Sequence, residues 1–333
     1  MFGRRIYMVF FITVMRAIAA CLITNAHYTG IYPTDLIANG GLIGDTIFFA
    51  VSGYCLCNIQ HTFAKWYFKR LYRVLIPVWV ISLVFLALGF FSLEQHSITY
   101  YFVYPTDYHF VASIILLYLP FYFIIRCQWT RNNLPKVMLI LAVVMMVVYV
   151  CFYDKSYYHI DAVREPFIRF LFMECMLLGA YFKQKDCKFR NKFSCKWVIF
   201  FVVAFVGYFA TKMLFVKYDR FAFGQIINQL IIFALLYCFF RLFAGMDEKL
   251  EKLPQWIKKV ISFIAKLTLE IYIVQYVAID MLRPVFGFPI NWFVITGAIV
   301  VSAFVVHYLC TGVYYVVDYV VKRMACKNKR NAL

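Results

Sequence analysis

Two ionisable side chains stand inside the first apolar run, residues 6–28: Arg16 and His27. On an ideal helix, eleven residues bring them to nearly the same stripe, about 16 Å apart along the axis. A histidine titrates near neutral pH and can take the proton of a hydroxyl group, which suits general-base chemistry. An arginine at mid-span is costly in hydrocarbon. It must face protein or water, either in an ion pair, with Glu174 the partner of choice, or as a cation holding an anionic or carbonyl-bearing substrate. Asp45 lies about one turn into the second apolar run. It can orient and stabilise a protonated His27, or it can cap the helix start after Gly44. Lys69, Arg70 and Arg73 precede the third run, and the two arginines, three apart, share a helix face. Arginine forks fit phosphate oxygens, although basic residues at this position also fit ordinary membrane topology. Glu174 and Arg169, in the sixth run, are further candidates for contact with a substrate.

The elements that must hold these groups are apolar helices. Of 333 residues, 64% are hydrophobic, mean hydropathy is +0.76, and Phe (37) and Tyr (26) are abundant. Runs long enough to cross hydrocarbon occur at about 6–28, 41–60, 74–92, 108–125, 137–153, 166–182, 197–214, 223–240, 267–282 and 290–320. We expect an all-α polytopic membrane protein: one integral-membrane domain over 1–333, a bundle of about ten transmembrane helices. The N-terminus has features of a signal peptide, Arg4 and Arg5 before an apolar run, but that run continues past any cleavage site beside Arg16. An uncleaved first span is expected. The stretch 247–266 is amphipathic after Pro254 and reads as an interfacial helix leading into the ninth run.

Charge orients the bundle. With the N-terminus cytoplasmic, 26 of the 34 Lys and Arg fall in inner segments, five fall in outer loops, and Arg16, Arg169 and Lys212 lie within spans. This asymmetry fits the positive-inside rule with both termini cytoplasmic and predicts a multi-pass protein of the inner membrane. The net charge of +18 is spread over short loops rather than lining a soluble face, so no nucleic-acid partner is expected. The eleven cysteines form neither a metal-type spacing nor a disulfide framework; Cys55 and Cys57 are the closest pair. No P-loop, dinucleotide fingerprint, GxSxG elbow or HExxH motif occurs, which argues against an ATP-driven pump and a serine hydrolase.

Taken together, these stretches resemble the membrane acyltransferase 3 family. Arg16 and His27, ten residues between them, match its R-x10-H pattern. GDTIFFAVSGY (44–54) is similar to its G-V-D-x-F-F-V-x-S-G signature, and KRLYRVLIP (69–77) to its R-x-x-R-x-x-x-P element. IRFLFMECMLLGAYF (168–182) and LTLEIYIVQ (267–275) follow in the family's order. Gln275 departs from the histidine often found there, so no catalytic role carries over to it. His109 stands where many relatives have an aromatic residue.

The resemblance implies transfer of an acyl group, usually acetyl, from acyl-CoA to a hydroxyl of a cell-surface polysaccharide or lipid-linked sugar. Arg70 and Arg73, with Lys69, would hold CoA phosphates, and Arg16 would steady the thioester or pantetheine arm. His27, with Asp45, would deprotonate the acceptor or briefly carry the acyl group. From Arg70 to His27 is much of a roughly 30 Å hydrocarbon core, which an extended pantetheine arm or an acyl relay must bridge. Two other readings compete: a transporter or flippase for a polysaccharide or lipid-linked sugar, against which no internal repeat is visible, and a membrane scaffold.

Overall fold

Apolar runs of this length bury their backbone polar groups only by coiling, because hydrocarbon offers no hydrogen-bond partner. The computed structural model describes residues 9–105 and 108–330 and is 77% helical, with no strand among the described residues. Arg4, Arg5 and the start of the first apolar run lie outside the described residues.

The helices are α1 (Phe10–Ala26), α2 (Gly41–Leu56), α3 (Phe63–Ala87), α4 (His109–Arg126), α5 (Gln128–Asn132), α6 (Leu134–Phe152) and α7 (Ile168–Gln184). They continue with α8 (Asp186–Phe189), α9 (Cys195–Lys217), α10 (Ile226–Gly245), α11 (Asp247–Glu251), α12 (Gln255–Lys266), α13 (Thr268–Leu282) and α14 (Ile290–Arg330). Each of the ten expected runs carries a helix. Six helices, α3, α4, α6, α9, α10 and α14, are long and apolar enough to cross a membrane; counting α12 with α13 as one broken span makes seven. The apolar helices α1 and α2 are shorter, 17 and 16 residues.

Two boundaries differ from hydropathy. Helix α3 begins at Phe63, so the basic stretch is helical and continuous with the apolar run. Helix α1 ends at Ala26, which leaves His27 one residue beyond it. His27 thus stands at the C-terminal boundary of α1, eleven residues after Arg16. Hydropathy counts the apolar residues after Ala26, whereas the backbone there has left the helix for a turn, in which Ile31 N–H donates to the Tyr28 carbonyl (3.0 Å).

The chain folds as two compact units. Of the described residues, the first comprises 9–26, 39–67 and 109–266. Its centre is the crossing of α2 and α7, where Phe49 and Phe172 stack at 4.2 Å between centroids. Backbone meets backbone there: a Cβ added at Gly53 would lie 1.9 Å from the Met176 carbonyl oxygen, and one at Gly179 would lie 1.8 Å from that of Ala50. Small residues allow such an approach between apolar helices. On its other side α2 meets α1 through Gly44, whose added Cβ would lie 2.7 Å from Ile23.

A polar knot fastens the ends of these helices. The buried Asp247 carboxylate accepts from Phe11 N–H (2.9 Å), capping α1, and from Arg190 Nε (2.7 Å). Arg190 also pairs with Asp186 (3.6 Å), which accepts from the Tyr54 hydroxyl (2.8 Å). Lys212 is ion-paired with Asp161 at 2.8 Å, which offsets the cost of a lysine in an apolar helix. Helix α12 packs against α1 in this unit.

The second unit comprises, of the described residues, 27–38, 68–105, 108 and 267–330. It holds most of α3, an irregular stretch with one π-helical turn (Thr99–Val103), and the packed pair α13 and α14. A cavity of about 400 Å³ lies among α3, α13 and α14, and Ser302 is the polar residue of an otherwise apolar lining.

Candidate active site

His27 is held by the segment that follows it, and that segment is clamped to α14. Thr296 Oγ1 donates to the Trp292 carbonyl (2.6 Å), so the Tyr28 hydroxyl donates to Thr296 Oγ1 (2.8 Å). The Trp292 indole N–H donates to the Tyr32 hydroxyl (2.9 Å), and the Asn291 amide donates to the Ile31 carbonyl (3.3 Å). Gly30, at φ +76°, turns the chain, and its N–H donates to Asp35 (2.7 Å). A residue in a loop gains a fixed orientation only from ties of this kind.

The half-buried His27 ring stands edge-to-face on Tyr276, with centroids 4.7 Å apart. Tyr276 adjoins Tyr272 (5.8 Å) and Tyr108 (6.0 Å), and the Tyr108 hydroxyl donates to the Ile273 carbonyl (3.2 Å). One turn past Tyr276, Asp280 pairs with Arg283 at 3.2 Å. The imidazole therefore sits against an aromatic wall contributed by α13 and the residue just before α4. The adjacent Gln275 is fully buried, and neither atom of its amide has a hydrogen-bond partner among the described residues.

The arginine pair belongs to this same unit. Arg70 is half-buried, while Lys69 and Arg73 are exposed on α3. The Tyr314 hydroxyl donates to the Arg73 carbonyl (3.2 Å), and the Tyr314 ring packs on Tyr72 at 5.1 Å. Helix α14 thus braces the basic segment of α3, on which Arg73 is exposed.

The other candidates lie in the first unit. Arg16 is half-buried on α1. Asp45 is the fifth residue of α2 and is 6% exposed. The helix starts at Gly41 behind Gly40 (φ +96°), with no side-chain cap, so the alternative that Asp45 caps the helix is not what the chain does. The buried Glu174 and the half-buried Arg169 share α7 five residues apart, which turns them to different faces. Glu174 Oε1 has no hydrogen-bond partner among the described residues. Arg169 lines a cavity of about 350 Å³ with residues of α4 and α6, among apolar neighbours.

Sequence reasoning missed the aromatic wall and one polar pair, Glu270 with His307 (2.7 Å), because the partners lie on different elements. No periodicity within one segment signals them.

The family model described as an acyltransferase domain matches residues 9–312. No curated protein and no solved structure gives a match. The match spans nearly the whole chain, including His27, its aromatic wall and the basic turn of α3, and so the chain belongs to the acyltransferase 3 family.

Proposed function

We propose that the protein is a membrane O-acyltransferase that moves an acyl group, most simply acetyl, from acyl-CoA to a hydroxyl of a surface polysaccharide or lipid-linked sugar. The observation that carries this reading is the makeup of the second unit: a histidine braced by an aromatic wall and a pair of arginines on one helix face, within one compact body. A base and a phosphate clamp are the two groups that transfer from a CoA thioester to an alcohol requires.

In the proposed step, the His27 imidazole takes the proton of the acceptor hydroxyl as its oxygen attacks the thioester carbonyl. The C–O bond forms, the C–S bond breaks, and CoA leaves as the thiolate, which takes up a proton. Tyr276 restricts the imidazole's tilt. Arg70, Arg73 and Lys69 bind the donor's phosphates. Arg16 and Asp45 are assigned by the family motif, Arg16 as the cation for charge developing on the thioester carbonyl and Asp45 as the carboxylate for the imidazolium. Arg169 and Glu174 belong to acceptor binding, with the lipid part of a lipid-linked sugar suited to the apolar cavity that Arg169 lines. Ten spans with both termini cytoplasmic, in the inner membrane, complete this reading and rest on the loop charges.

The test is labelled acetyl-CoA supplied to proteoliposomes holding the protein and a carbohydrate acceptor. Label in an alkali-labile ester on the acceptor is the expected result. Acceptor translocation with no label transferred and no thioester consumed would instead assign a transporter.

A further inference from the structure

The proposed step does not name the source of the proton that the departing thiolate takes up. In a water-poor site a departing CoA thiolate is poorly solvated, and an unpaired anion there is costly. A proton donor on the leaving-group side removes that cost, and it spares His27, which holds the hydroxyl proton on the acceptor side, from having to return it to the sulfur.

The second unit contains a buried acid–base pair that the mechanism above does not use. His307 Nδ1 on α14 lies 2.7 Å from Glu270 Oε1 on α13, and their side chains are 19% and 9% exposed. A carboxylate accepts, so the Nδ1 proton points at Glu270 and Nε2 is left free to hold or give a proton. This is the arrangement of an imidazole oriented by a carboxylate.

His307 is also on the right stripe. His307, Cys310 and Tyr314 stand at i, i+3 and i+7 of α14, one face of the helix. Tyr314 is the residue that holds the Arg73 carbonyl. Seven residues along α14 are about 10 Å, so His307 stands about that far along the helix from the residue that holds Arg73. Glu270 faces His307 from α13 and the Tyr308 ring adjoins it on its own helix, while Cys310 and Tyr314 continue the stripe toward Tyr72 and Arg73 of α3.

We infer that His307, held by Glu270, is the general acid that protonates the departing CoA sulfur. This rests on the acyl-CoA reading above. The protonated imidazole gives its Nε2 proton to the sulfur as the C–S bond breaks, CoA leaves as the neutral thiol, and the neutral imidazole regains a proton from solvent. No oxidant or further reactant is involved.

The experiment measures acetyl transfer against pH in proteoliposomes for the wild type, His307→Gln and Glu270→Gln, with melting in detergent recorded for each. His27 must be neutral and His307 protonated, so the wild-type kcat profile is bell-shaped, and the limb that falls as pH rises belongs to His307. His307→Gln keeps a donor toward Glu270 and should lower kcat about 10²–10⁴-fold. The KM for acetyl-CoA should move less than about threefold, and the falling limb should vanish. Glu270→Gln removes the carboxylate that orients the imidazole, so kcat should fall as well while the KM for acetyl-CoA holds. A pair that only fastens α13 to α14 predicts a lower melting temperature with kcat and, in His307→Gln, the falling limb unmoved, and that result overturns the inference. A wild type that consumes no acetyl-CoA removes the leaving thiol and overturns the acyl-CoA reading together with the inference. An active wild type with equally active variants overturns the inference alone.

Discussion

Gly179→Ala tests the backbone contact between α2 and α7. The added methyl would sit 1.8 Å from the Ala50 carbonyl oxygen, and Gly53→Ala would place one 1.9 Å from that of Met176. Ordinary contact begins near 3.4 Å, so α2 and α7 must part by about 1.5 Å, and neither obstacle is a side chain that can rotate away. Over-packing a tight core costs about 1–3 kcal/mol. Opening the Phe49–Phe172 stack forfeits about 0.5–1.5 kcal/mol more. A loss of about 2–4 kcal/mol corresponds to a fall in melting temperature of about 5–15 °C for a domain of this order of size. The assay is thermal melting in detergent followed by fluorescence size-exclusion. Gly207→Ala and Gly297→Ala are internal controls, since both glycines are helical and an added Cβ meets nothing within 4 Å. They should be neutral or stabilising by about 0.5–1 kcal/mol, the ordinary gain of alanine over glycine in a helix. The double variant Gly53→Ala/Gly179→Ala should cost less than the sum of the singles, because one separation relieves both clashes. If Gly179→Ala melts with the controls, the backbone contact on which this reasoning stands is refuted. Asp45 and Glu174 ride on these two helices, so acyl transfer should fall further than stability alone accounts for.

Other outcomes can be checked in the same preparation. His27→Ala should reduce acyl transfer about 10²–10⁴-fold while melting shifts little, since the ring packs through one aromatic edge on Tyr276; transfer near the wild-type rate would remove His27 from the chemistry. Arg70→Ala with Arg73→Ala should raise the KM for acetyl-CoA about 10–100-fold, the equivalent of losing one or two charged hydrogen bonds, and leave the acceptor KM nearly unchanged; equal changes in both constants would show that the pair does not bind the donor. Asp247→Ala strips Phe11 N–H and Arg190 of a shared acceptor and should cost about 3–5 kcal/mol, seen as a larger melting shift than Asp186→Ala, whose carboxylate is more exposed and lies farther from Arg190.

Much of the helical layout was legible in the chain, and for a simple reason. An apolar run of span length has one way to satisfy its backbone, so composition and length suffice to predict a helix. The same local logic set Arg70 and Arg73 on one face of α3 and Asp45 one turn into α2, and the motif order carried the family. The end of α1 was not legible, because hydropathy does not register where a chain of apolar and aromatic residues leaves the helix. The closeness of α2 and α7 was also hidden. A glycine in a span reads alike whether it meets a backbone, as Gly53 and Gly179 do, or open space, as Gly207 does.

What the sequence determined by itself is a set of apolar helices, the charge asymmetry between their loops, and the residue types available for acyl transfer. Only the tertiary structure decided which of these residues meet. His27 lies against Tyr276, nearly 250 positions away, and Glu270 reaches His307 on a neighbouring helix. Helical periodicity tells which face a residue occupies but not which helix will cover that face. In this chain, where nearly every face is apolar, the partner is chosen by packing and by the few polar contacts that must be satisfied once packing is complete.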